Sequence, residues 1–183
     1  MIRQIVRGAT FQRDAYLRAV LSSNGTGDAV IIVAVVYLVL ALTISVYAVS
    51  DVLGIARFVL SGGFAWLILT GLIYLIARYA IHGQGSYQGM LAMSALAHPV
   101  LLLLVLLPVG GAFSFFARPT LAIMHVDRFE FLGTVAVILA TLWFLAILVA
   151  GTRVAMGIAI DRAILAVAGG YLGWWVLGTM LGV

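Results

Sequence analysis

Of the histidines and charged residues in the chain, only His98 falls inside a long apolar run. It lies ten residues into Gly89 to Pro108, with Pro99 beside it and Ser94 one turn earlier. An imidazole at that depth can accept and pass a proton near neutral pH, or bind a ligand through a ring nitrogen. Pro99 has no N–H to donate. In an α-helix it would free the carbonyl of Ala95 and bend the helix, opening a small polar cavity shared by Ser94 and His98. The structural alternative is a neutral His98 hydrogen-bonded to a neighbouring helix, holding a bundle together.

A second group precedes that run. Gly83, Gly85 and Ser86 stand in the sequence HGQGS at its entrance, with Arg78 and Arg153 expected on the same membrane face. Backbone N–H groups at a helix start, flanked by arginines, suit a lipid phosphate. The structural alternative is Ser86 as a helix N-cap, with glycines that let the chain turn tightly back into the bilayer.

Other chemistry is poorly provided for. All six acidic residues lie outside the long apolar runs, and neither a Ser/His/Asp arrangement nor a His-Glu-x-x-His spacing is present. Nucleophilic and carboxylate-pair catalysis both lack their groups. The absence of cysteine excludes disulfides and thiolate metal sites. His125, Asp127 and Glu130 surround Arg128 and read as a solvated charged loop rather than a metal site. His82 and His125 fall near opposite membrane faces, so neither pairs with His98 across one haem iron. The expectation is a non-enzyme with no metal and no cofactor, apart from a bound phospholipid.

The elements that must position these residues are set by composition. The 183 residues are 65% hydrophobic and 9% charged, where soluble domains carry about 25% charge. Bilayer is therefore the main solvent. The sequence pI near 9.9 comes from arginines placed to anchor phosphate headgroups, not from a nucleic-acid surface. Five uncharged runs, residues 29–49, 58–77, 89–108, 131–151 and 163–183, each match the roughly 20 residues of a transmembrane helix. Residues 1–28 carry Arg3, Arg7, Arg13 and Arg18 among apolar residues at helical spacing, which describes an amphipathic helix on anionic lipid. The segment SSNGTGD then breaks that helix.

The predicted fold class is all-α: an integral membrane bundle of five transmembrane helices after an N-terminal interfacial helix. Arg3, Arg7, Arg13, Arg18, Arg78, Arg153 and Arg162 share one side, against Arg57, Arg118 and Arg128 on the other. That bias places the N-terminus in the cytoplasm and the C-terminus outside. Helices in lipid approach closely through small residues, so Gly169, Gly170 and Gly173 are candidate packing positions. Between the third and fourth runs, Phe113, Phe115 and Phe116 are expected to rest in the interface or to cover the bundle.

Two stretches carry a resemblance. GQGSY, through Gly83, Gly85, Ser86 and Tyr87, leads into the run ending at Pro99. Trp143 is followed by GTRVAMGI, then by DRA and by GGY ending at Tyr171. Over residues 83–171 the chain resembles the bacterial branch of the Yip family, the Ypt/Rab-interacting membrane proteins. The resemblance implies five spans and a cytoplasmic N-terminal segment in a bacterial inner membrane. The function expected is that of an interaction protein or accessory subunit, partnered by lipids and by other membrane proteins or itself. A small oligomeric channel or transporter with His98 on its path, and a lipid-binding or lipid-scrambling protein, are the alternatives.

Overall fold

Apolar backbone cannot leave N–H and C=O groups unpaired in hydrocarbon, and helices satisfy them within one segment. The computed structural model describes residues 2–22, 24–45, 52–106 and 128–181, and among them every long apolar run is helical. The elements are α1 (Ile2–Ala9), α2 (Arg13–Leu21), α3 (Gly25–Ser45), α4 (Val52–Leu75) with a π turn (Ile76–Ala80), α5 (Tyr87–Ser94) continued by a 3-10 segment (Ala95–Leu106), α6 (Arg128–Met156) and α7 (Ile160–Leu181). Four helical stretches are long and apolar enough to cross a membrane: Gly25–Thr43, Val52–Ala80, Val137–Met156 and Ile160–Met180. They mark the chain as an integral membrane protein. Tyr87–Leu103 forms a shorter apolar helix.

The helices overrun the uncharged stretches at several ends. Arg57 lies in α4, Arg128, Glu130 and Arg153 in α6, and Asp161 and Arg162 in the first turn of α7. Charged side chains at helix ends reach the headgroups, so hydrocarbon sets where the charge stops and not where the helix stops. The segment SSNGTGD also divides differently from the sequence reading. α2 ends at Leu21, and Gly25 to Asp28 become the first turn of α3.

The N-terminal region is two short helices and not one. Phe11, at φ +60°, turns the chain between them. Ala15, Tyr16 and Ala19 bury one face of α2, which packs on α5 and α6, while α1 packs on the 3-10 segment. Tyr16 donates its hydroxyl to Gly8 O at 2.6 Å and so ties the pair together. Phe113, Phe115, Phe116, His125 and Asp127 lie outside the described residues.

At the centre runs Tyr87 to Leu106. Its residues from Gly89 to Leu101 are buried, Pro99 half so, because α1, α2, α3, α4 and α6 all pack around it. An all-round apolar helix can face lipid or other helices, and here its neighbours bury it. Pro99 lies inside this 3-10 segment. In an i→i+3 ladder the carbonyl of Ala95 faces the N–H of His98, and it is the carbonyl of Leu96 that goes without the N–H proline lacks.

Candidate functional site

Ser94 closes α5, one turn before the proline, and its hydroxyl is the hub of a buried polar knot. It accepts from Trp66 Nε1 at 2.7 Å and from Thr70 Oγ1 at 2.9 Å, and donates to Leu91 O at 3.1 Å. One donor and two acceptor sites are all that a hydroxyl has. Trp66 and Thr70 come from α4, one turn apart, so the knot fastens α4 to the central helix.

The next link runs along the central helix. His98 Nδ1 lies 3.1 Å from the carbonyl oxygen of Ser94. A carbonyl only accepts, so Nδ1 carries a proton in either charge state, and Nε2 is the nitrogen that would gain or release one. Three rings from three other helices surround the imidazole: Tyr37 of α3 at 6.0 Å, Trp66 of α4 at 6.3 Å and Phe144 of α6 at 5.4 Å between centroids. The Trp66 and Phe144 planes stand at 83° and 85° to it, the edge-to-face arrangement that aromatic quadrupoles favour. His98 is 2% exposed and Ser94 1%. Where the sequence suggests a small polar cavity shared by Ser94 and His98, aromatic rings of three neighbouring helices stand around the imidazole.

Trp66, Thr70, Tyr37 and Phe144 were not among the site residues expected from sequence. A signal existed in Trp66. Tryptophan in membrane proteins favours the interface, where its N–H meets water, so one in mid-span requires an acceptor from a neighbouring helix. Trp143, also in mid-span, follows the same rule and donates to Ala9 O at 3.0 Å.

The Gly-Ser turn is a separate site at the end of the bundle. His82, at φ +62°, reverses the chain after the π turn. Gly83 N then donates to Ala77 O at 2.8 Å and Gln84 N to Met156 O at 3.0 Å. Ser86 caps α5, its hydroxyl accepting from Gly89 N at 3.1 Å. Arg78 donates to Gly83 O at 2.7 Å, and Arg153 is exposed. A Cβ on Gly85 would strike the carbonyl of Ala155, so that glycine lets the turn lie flat on α6. Gly83 N and Gln84 N therefore already serve protein carbonyls.

Gly169, Gly170 and Gly173 lie on α7 where it meets Ile76, Ile73 and Leu72. A Cβ on Gly170 would stand 2.9 Å from Ile73 N. The hydroxyl of Thr152 is the one buried side-chain group among the described residues without a hydrogen-bond partner. No group of three or more His, Cys, Asp or Glu able to hold a metal occurs among the described residues.

No family model matches the chain, and neither a curated protein nor a solved structure matches it.

Proposed function

We propose that this is a non-catalytic multi-pass membrane protein, of the Yip-like arrangement its motifs resemble, acting as an interaction or structural subunit within a larger membrane assembly. The enclosure of His98 carries this reading. A residue on a conduction path needs water or substrate on at least one side, whereas His98 has Tyr37, Trp66 and Phe144 around it and Ser94 O on Nδ1. Its polar neighbours spend their hydrogen bonds joining helices, which is the use of a bundle lock.

Five spans belong to the proposal. Tyr87–Leu106 has eight α and twelve 3-10 residues, about 36 Å at their respective rises, against a hydrocarbon core of about 30 Å. The central segment is thus long enough, although short in α-helical residues. With five spans, the arginine bias supports a cytoplasmic N-terminus and an external C-terminus, and the resemblance supports a bacterial inner membrane.

Partners would meet the outward apolar faces, among them Leu165, Leu172 and Met180 of α7. A photocrosslinking residue at Leu165 is expected to give one discrete adduct in native membranes, while the purified protein in liposomes leaves an imposed proton gradient standing. A gradient that collapses with the native protein and stands with His98→Ala would replace this reading with transport.

A further inference from the structure

The position of the N-terminal helix pair conflicts with a flat bilayer. Arg57 and Arg78 bracket 20 uncharged residues of α4 and its π turn, about 30 Å of helix and the full hydrocarbon thickness. That fixes the slab, since sliding it either way would submerge one of the two arginines. Trp66 lies near the middle of this stretch, and Trp66 and Phe144 both contact His98. Trp143, next to Phe144, is therefore also at mid-slab, ten residues and about 15 Å inward of Arg153.

The corner between α1 and α2 reaches that depth. Ala9 O accepts from Trp143 Nε1, and Gly8 lies against Leu96 in the middle of the central helix. From this corner α2 runs back to the near end, where Val20 meets Gly89. The first turn of α3 is also set deep, with Gly25 against Ala92. Yet the outward surface here mixes exposed Val6, Phe11 and Leu21 with many polar side chains: Thr10, Gln12, Arg13, Asp14, Arg18, Asn24 and Asp28 are exposed and Arg7 is half-buried. Arg7 and Arg13, beside the corner, stand about 15 Å inside hydrocarbon, too deep to snorkel out along their own side chains, while Arg18 lies nearer the end of the bundle.

The geometry points to a recess in the near leaflet on this one side of the bundle, where anionic phospholipid headgroups descend along α2, from Arg18 near the end of the bundle to Arg13 and Arg7 at mid-slab. Three arginines against Asp14 and Asp28 leave net positive charge, which selects phosphate over zwitterionic or neutral surfaces. Headgroups and their water remove the conflict, because the cations then face the layer that suits them. The bilayer beside α1 and α2 is locally thin.

Because the chain has no cysteine, single cysteines can test this in vesicles of phosphatidylcholine and phosphatidylglycerol. With a membrane-impermeant maleimide on both sides, Thr10→Cys is expected to react at a rate comparable to Ser22→Cys. Leu139→Cys, one turn from Trp143 at a side chain 61% exposed on the apolar surface of a spanning helix, stays unmodified. Arg13→Gln and Arg18→Gln should each lower the preference for bound phosphatidylglycerol over phosphatidylcholine about fivefold, read as lipid adducts by native mass spectrometry. Protection of Thr10→Cys equal to that of Leu139→Cys would overturn the recess. So would an unchanged lipid preference in both arginine variants, or a disulfide between two copies through Asp14→Cys, which would make a second protein the occupant.

Discussion

Ser94 and Thr70 share one hydrogen bond but are not equal partners in it. Ser94→Ala removes the acceptor of two buried donors, the Trp66 indole and the Thr70 hydroxyl, and stranded donors cost about 1–3 kcal/mol each. Thr70→Val removes one donor and leaves Ser94 bonded to Trp66, so it is expected to cost about 1 kcal/mol. Unfolding in mild detergent is expected to rank the two accordingly; equal losses would mean that the knot is not centred on Ser94. His98→Ala takes a ring from among three others and should cost about 2–5 kcal/mol as an unfilled cavity. Gly170→Leu acts by the opposite route, forcing α7 off the backbone of Ile73, an overpacking cost of about 1–3 kcal/mol or more.

The central helix carries one residue that the interior of an α-helix disfavours, Pro99. Residues 95–106 other than Pro99 are Ala, Leu, Val and His, and the alanines and leucines favour an α-helix. Pro99→Ala is therefore expected to return this segment toward α geometry, which rises about 0.5 Å less per residue. Spin labels at Gln88 and Leu103, both exposed, should then move closer by about 4 Å; an unchanged distance would show that the surrounding helices, not proline, impose the 3-10 form. The α1 and α2 pair has its own lock in Tyr16. Burial pushes the Tyr16 hydroxyl up to about 12 from its ordinary value of 10.0. The folded form thus holds this proton more tightly than the unfolded one. Its stabilising effect is complete below pH 10 and is lost as pH rises from there through about 12. Tyr16→Phe should flatten that part of the alkaline loss, followed by exchange of the α1 and α2 amides, while costing about 1 kcal/mol at neutral pH for the lost bond to Gly8 O.

At the scale of the whole molecule, the bundle is organised around a buried helix whose own neighbours include the charged N-terminal pair. Deleting residues 1–21 should therefore do more than remove a membrane tether. It uncovers Leu96, leaves the Trp143 N–H unpaired at mid-slab, and is expected to lower thermal stability in neutral as well as anionic lipid. A loss confined to anionic lipid would fit a detached surface anchor instead.

The helical class, the bilayer as solvent and the approximate positions of the apolar runs were all legible in the sequence. They follow from local hydropathy and from the thickness of hydrocarbon, which act on each segment alone. Ser86 as an N-cap was legible for the same reason, because its partner Gly89 lies three residues away. His98 and Ser94 could be singled out by type and depth, but their chemistry could not be assigned. That depends on Trp66, Tyr37 and Phe144, which lie 28 to 61 residues from His98 or Ser94 in sequence. Only the tertiary structure decided that these rings close over the imidazole, since which faces meet is a property of helix packing rather than of any one helix. It also decided the depth of α1 and α2: their arginines alone describe a helix lying on lipid, and the bond from Trp143 to Ala9 O draws their corner inward.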